Sequence, residues 1–276
     1  MSLKRGIALA GGGARGAYQI GALKALKIHG YLDDIHAISG VSVGSLNACL
    51  LAMDALDEAE ELWLNLKEDS LFTKDASWLN MLVKENVKLI TDGAFKTDKL
   101  EIIMDEMLDF EVLRKKDIYI ALSFVAEKKH SLTEAIKTNI KNLFEREKHI
   151  EYRNLKGMDD QQIHANLIAS CALPVAFKPV EIEGKTYLDG GLLDNTPYKP
   201  LIDAGCDEVI VIDLFRFSLK NMRRKDSIDG VKMNYIYPKK NLHGILDFKK
   251  EHLQARFDLG YNDAEEAIKT WKQKTE

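Results

Sequence analysis

Ser42 lies in Gly40-Val41-Ser42-Val43-Gly44, between the short apolar run Ala37 to Ile38 and a helix-forming stretch that begins near Ser45. A serine at the tip of a strand-to-helix turn has strained backbone angles, and flanking glycines let neighbouring elements pass close without a Cβ clash. Its hydroxyl is pushed out to where a substrate carbonyl can reach it. The helix that follows adds unpaired N–H groups and a dipole, both of which favour the negative oxygen formed when serine attacks an ester. Ser42 is therefore a candidate nucleophile. Read alone, the same pentapeptide is also an ordinary glycine-flanked helix start.

A second glycine-rich segment, Gly11-Gly12-Gly13-Ala14-Arg15-Gly16, follows a small apolar strand from Gly6 to Ala10 and precedes a helix that stops at Gly30. It fits G-x-G-x-x-G in the setting of a dinucleotide-binding fingerprint, which calls for an acidic residue about 20 positions on, after the second strand. Here that strand ends at Ser39-Gly40 and runs into the serine turn, while Asp33 and Asp34 precede it. A nucleotide-binding α/β enzyme thus stands as an alternative without its acidic partner. The loop makes better sense as a cradle for another anion: N–H groups of Gly11, Gly12 and Gly13, with that of Val43, form an oxyanion hole beside Ser42. Arg15 either meets a phosphate or anchors the loop. Further on, Asp189-Gly190-Gly191 closes a strand, and its glycines permit close approach to another loop. Asp189 is a candidate base, or else a turn initiator.

The elements that must position these residues read as an α/β pattern. Ser45 to Glu68 forms one or two helices with Trp63 and Leu66 in the core. Helices near Trp78 to Ile90 and, after a Thr97 cap, from Asp98 to Leu108 serve either as a lid and acyl-chain wall or as sheet cover. Asp117 to Ala126 is a buried strand, and 127–158 a solvated helix and strand pair. Asp159-Asp160 caps a helix through Ile163, Leu167 and Ile168. Val180 to Leu188 is a hairpin with Glu183-Gly184-Lys185 in its middle. A helix from Thr196 to Gly205 has Pro197 in its first position and Asp194 at its start. Glu208 to Asp213 is another parallel strand, Met233 to Tyr237 a last strand, and Asp263 to Lys274 a terminal helix.

With 276 residues, 46% of them hydrophobic, the chain can bury a sizeable core. Its net charge of -4 excludes a general nucleic-acid binder. Cys49, Cys171 and Cys206 lie far apart among apolar neighbours and read as buried thiols in a reducing compartment. The apolar run after Lys4-Arg5 is too short for a secretion leader, and no stretch is long enough to span a membrane. A cytoplasmic location is expected. Between 214 and 251, ten lysines and arginines outnumber four carboxylates, giving either a membrane-facing patch or a solvated basic surface.

The glycine loop, the serine turn and Asp189-Gly190-Gly191, in that order, together resemble the patatin-like phospholipase family. Ala169-Ser170-Cys171-Ala172-Leu173-Pro174 looks like that family's third block, with Val175 departing from the glycine usual after the proline. The resemblance covers about 5–213 and leaves a less legible extension at 214–276 within one domain of 1–276. It implies an α/β fold with a largely parallel central sheet flanked by helices in three layers. It also implies a serine lipid acyl hydrolase that cleaves fatty acyl esters of phospholipids or lysophospholipids through a Ser42-Asp189 dyad. Gly40, Gly44, Gly16, Gly190 and Gly191 complete its motifs, and neither metal nor cofactor is required. A catalytically idle protein that binds lipids or a partner would show the same motifs. His243 and His252 follow Asp189 as a triad requires, but their polar neighbours place them at the surface. Burial of Asp189 is expected to raise its basicity.

Overall fold

β1 (Arg5–Leu9) is a run of small and aliphatic residues buried throughout after Arg5, as befits a strand with neighbours on both edges and layers on both faces. It pairs in parallel with β2 (Ile35–Gly40) on one side and β7 (Glu208–Ile212) on the other. The computed structural model describes residues 3–66, 98–127, 149–174, 177–216 and 224–273, and places β1 inside a nine-stranded sheet. β9 (Val231–Ile236) continues the parallel run beyond β7, and β3 (Ile118–Glu127) continues it beyond β2. The margins are antiparallel. β4 (Ile150–Asn154) and β6 (Lys185–Asp189) both pair with β3, β5 (Val180–Ile182) with β6, and β8 (Ser227–Ile228) with β9. The expected parallel sheet is thus parallel at its centre and mixed overall.

Period-two alternation divides the core between two faces. Ile7, Leu9, Ile38, Ile210 and Ile212 pack with Leu23 of α1 (Gly16–Ile28), Ala48 of α2 (Val43–Ala52) and Phe257 of α8 (Lys250–Gln273). Ala8, Ala37, Val209, Val211 and Met233 point the other way, against Leu201 of α7 (Lys199–Asp203). α3 (Leu56–Asn65), α4 (Asp98–Met107), α5 (Phe110–Leu113) and α6 (Asp160–Ser170) complete the described helices. Two β-hairpin turns hold consecutive residues at positive φ: Glu183-Gly184 in the expected hairpin, where Lys185 already belongs to β6, and Asp229-Gly230 between β8 and β9. Asp159 and Gln162 form a full capping box at the start of α6.

Two helix boundaries differ from expectation. α7 begins at Lys199 rather than Thr196, because Asp194 accepts from the Thr196 N–H (3.3 Å) and orders a turn first, so that Pro200 instead of Pro197 occupies the first turn. α8 begins at Lys250, thirteen residues before the expected Asp263. Its apolar stripe of Leu253, Phe257, Ala264 and Ile268 is interrupted by Gly260, which hides the period from sequence reading. That glycine is itself a contact: a Cβ there would overlap the Tyr18 carbonyl of α1, and one on Gly21 would overlap that of Phe257. The helix expected at Trp78 to Ile90, the Thr97 cap, Val175 and most of the solvated segment before His149 lie outside the described residues. Among the described residues no helix is long and apolar enough to cross a membrane.

Candidate active site

β3 carries two strands on one edge. β2 pairs with it at 118–120 and β6 at 122–127, while β4 covers the opposite edge from 119 to 123. Because β2 runs parallel to β3 and β6 antiparallel, their C-terminal ends converge, Gly40 opposite Ile120 and Asp189 opposite Leu122. Ser42 follows two residues after Gly40. The convergence brings its hydroxyl beside the Asp189 carboxylate, whose charged form it favours.

Ser42 has φ 54° and ψ -133°, a strained conformation for a residue with a side chain, and precedes the first turn of α2. The turn can be this sharp because Gly40 lies against the Gly44 backbone and Gly44 against the carbonyls of Leu9 and Ala10, where any Cβ would overlap. Ser170, which sequence reading left inside a motif without a role, fills the gap between β2 and β6. Its hydroxyl donates to the Ala121 carbonyl (3.0 Å) and accepts from the Ser42 N–H (3.0 Å). Two residues on, the Ala172 carbonyl accepts from the Asp189 N–H (3.0 Å), so one helix end fixes both members of the pair.

Asp189 is 3% exposed. Burial away from water raises its carboxyl to about 6, against the opposing pull of the Ser42 hydroxyl and of a hydrogen bond from the Gly191 N–H. The latter bond is 2.7 Å, and Gly190 lies so close to β3 that a Cβ would overlap the Ala121 carbonyl. The glycines after Asp189 thus allow both the approach and the turn.

The glycine loop lies across the strand ends. Gly11 donates its N–H to the Asn195 carbonyl (3.3 Å) and its own carbonyl accepts from the Asn195 amide (3.1 Å), so its N–H is engaged rather than open as expected. Asn195 had drawn no attention in the sequence. The N–H groups of Gly12 and Gly13 have no partner among the described residues, and Val43 opens α2, where an N–H has no acceptor within its own helix. Gly16 starts α1 against Trp63 and Val43. Arg15 anchors the loop: it donates to the His243 carbonyl through Nε (3.0 Å) and Nη2 (2.7 Å), and covers the Phe215 ring. Burial lowers its pKa.

Ser42, Asp189, Gly12 and Gly13 line a cavity of about 480 Å³. Apart from Asn47 and Asn195, its remaining walls are mainly apolar, from Leu46 and Leu50 of α2, Leu62 and Trp63 of α3, Ile103 and Met107 of α4, and Phe215, Ile245 and Phe248. Trp63 is both core and wall, its indole N–H held by Asn47 (3.0 Å). α4 supplies wall, one of the two roles expected for the helical insertion. Such walls offer a nucleotide's phosphates and ribose nothing charged to bind, whereas they match a fatty acyl chain. Cys171 also lines the cavity, its thiol pushed up by burial.

Among the described residues no histidine lines that cavity. His243 and His252 stack on each other at 4.2 Å, and His252 Nδ1 meets Asp247 at 2.6 Å. With Asp247 they gather ligand-type atoms, yet the rings are parallel to within 5°, so no single ion lies in both ring planes. The basic segment is partly neutralised within the chain: Lys232 pairs with Glu208 (3.0 Å), Lys239 with Glu266 (2.6 Å), and Arg224 lies over Tyr237 (3.4 Å). Lys220 and Arg223 lie outside the described residues.

The model of the family described as patatin-like phospholipase matches residues 7–202. "Probable lipid hydrolase 463L" of Invertebrate iridescent virus 6 is 26% identical over 245 residues, covering 88% of this chain and 74% of its own. "Lysophospholipase NTE1" of Kluyveromyces lactis is 27% identical over 232 residues, 82% of this chain but 14% of that larger protein. Among solved structures, VipD from Legionella pneumophila superposes with a TM-score of 0.51 at 16% identity, covering 98% of this chain and 67% of its own, a likeness of fold. A family match across most of the chain, on a mixed α/β sheet with helices on both faces, means that the chain belongs to the patatin-like phospholipase family of hydrolases.

Proposed function

We propose that the chain is a serine acyl hydrolase acting on fatty acyl esters of phospholipids or lysophospholipids through a Ser42-Asp189 dyad. The observation that carries this reading is the placement of the strained Ser42 beside a buried Asp189 in the wall of one apolar cavity. Ser42 Oγ attacks the acyl carbonyl while its proton passes to Asp189. The carbonyl oxygen becomes an oxyanion facing the N–H groups of Gly12, Gly13 and Val43. Collapse breaks the ester bond, Asp189 returns the proton to the leaving alkoxide, and the acyl group stays on Ser42. Water then attacks the acyl carbonyl as Asp189 takes its proton, the acyl–Oγ bond breaks as that proton passes to Ser42 Oγ, and the free fatty acid leaves. An aspartate is a weak base in water, and burial brings it closer to the serine's needs.

The test is labelling with a fluorophosphonate, followed by hydrolysis of a panel of phospholipids, lysophospholipids and neutral esters. Ser42 labels and Ser42→Ala does not. An unlabelled Ser42, under conditions that label another serine hydrolase, leaves an idle lipid-binding protein. Peripheral association of the 214–251 segment with anionic bilayers belongs to the same proposal, at about 1 kcal/mol per basic residue near the surface. Equal sedimentation with neutral and anionic vesicles at low salt removes it.

A further inference from the structure

The C-terminal arm lies beyond the matched residues 7–202 and still holds the glycine loop. The strap 242–248 joins β9 to α8 across the face of the loop. Ala14 donates its N–H to the Ile245 carbonyl (2.7 Å), Arg15 donates to the carbonyl of His243, and a Cβ on Gly13 would overlap Ile245 O. Ile245, Leu246 and Phe248 of the strap also line the cavity. The loop therefore takes its position from the strap.

A buried side chain of α8 also holds the strap. Arg256 of α8 is 1% exposed, and its guanidinium donates only to main-chain carbonyls: Nε to Leu242 (2.7 Å), Nη1 to Asp247 (2.5 Å) and Ala14 (3.1 Å), and Nη2 to Gly244 (3.1 Å). Three of these acceptors belong to the strap and the fourth to the glycine loop. The planar fork bridges the seam, and charge-assisted bonds of this kind are the stronger class. Desolvation pushes Arg256 down to about 10, with Asp247 working against the fall and Arg15 adding to it, so it stays charged at neutral pH. By contrast, Asp263 on the same helix accepts from the Tyr18 hydroxyl (3.0 Å) and the Lys239 N–H (3.1 Å). It docks α8 without bonding loop or strap.

We propose that Arg256 is a positioning residue for the oxyanion loop, joining Ala14 to the strap so that the Gly12 and Gly13 N–H groups are held where the oxyanion forms. This makes α8 part of the catalytic unit, and it rests on the reading of Gly12 and Gly13 as oxyanion donors. Lysine at 256 keeps a charge but cannot bridge four carbonyls.

The experiment compares Arg256→Lys and Arg256→Met with Asp263→Asn by three measurements: thermal unfolding, steady-state kinetics, and hydrogen exchange of the Ala14 amide. The expected result is a kcat lower by about 100-fold in Arg256→Lys, the scale of losing one oxyanion donor, with KM within a few-fold. Ala14 exchange speeds at least about ten-fold in the same variant. Asp263→Asn lowers Tm and leaves kcat and Ala14 protection near wild type. Unchanged Ala14 protection in Arg256→Lys overturns the clamp, and that readout needs no substrate. Lost protection with kcat intact overturns the oxyanion assignment instead, and a rise in KM alone makes the strap a substrate wall. If Arg256→Met fails to fold, Arg256→Lys still decides.

Discussion

Residues 5–213 and residues 224–273 contribute to the site by different means. The first region presents the candidate reactive groups at the ends of regular elements: Ser42 after β2, Asp189 at the end of β6, and the glycine loop after β1. The second presents no side chain to the Ser42-Asp189 pair. It holds the loop mainly through the carbonyls of His243 and Ile245, with the Arg256 side chain donating to the Ala14 carbonyl, and shapes the cavity with Ile245 and Phe248. Side-chain chemistry requires specific residue types, whereas a carbonyl acceptor is available from any residue. One region therefore carries recognisable motifs and the other does not.

The largest effect expected within the first region is at Asp189. Asp189→Asn should lower kcat by on the order of 10,000-fold, the upper range for loss of a general base, with KM little changed. The same variant separates catalysis from stability. The folded carboxyl, at about 6, lies above its unfolded value, so its contribution to stability is intact below about pH 4 and is lost as pH rises through 6. At pH 8 the buried charge costs on the order of 3 kcal/mol. Asp189→Asn should accordingly gain stability relative to wild type at pH 8 and gain less at pH 4. Denaturant melts at the two pH values check this, and an equal effect at both would remove the buried-charge account.

Gly13→Val tests where the regions meet. Gly13 has φ 54°, and a Cβ would overlap the Ile245 carbonyl, so valine must displace either the loop or the strap. Turnover should fall by about 100-fold to 1,000-fold with the sheet intact by circular dichroism. Wild-type turnover in this variant would separate the loop from the chemistry. In the wild-type protein kcat/KM should rise with pH through about 6 and then level off, since Asp189 must be ionised to accept the serine proton. A profile flat between pH 5 and 8 contradicts Asp189 as base.

The smallest effects are expected at the histidines of the second region. His243→Ala and His252→Ala should each keep most of the activity, because their rings stack on one another and do not line the cavity. A collapse of turnover in either, with the fold intact, would falsify the dyad and restore a triad.

Much of the site was legible because its residues are demanded locally. A nucleophile turn needs glycines beside it, an anion cradle needs exposed N–H groups, and an aspartate that approaches a β-strand needs glycine behind it. These requirements fall within a few residues and leave a pattern. The central strands were legible for the same reason: Gly6 to Ala10 and Val209 to Ile212 are small or apolar at every position, as two covering layers demand. Asn195 and Ser170 escaped because their partners, Gly11, Ala121 and Ser42, are distant in sequence and two of those partners are carbonyls. The start of α8 escaped because Gly260 breaks the apolar period that a helix buried on one face should show.

The sequence by itself determined which residues could react and in what order the chain presents them. Only the tertiary structure decided that β2 and β6 share one edge of β3 and bring Ser42 to Asp189, that Asn195 engages the Gly11 N–H, and that Arg15 binds the strap. The reason is physical: residue type and local spacing set conformational preference and intrinsic reactivity, but distance between groups more than a hundred positions apart is set by strand register. Carbonyl acceptors are identical in every residue, so the partners of Arg256 become identifiable only once the chain has folded around it.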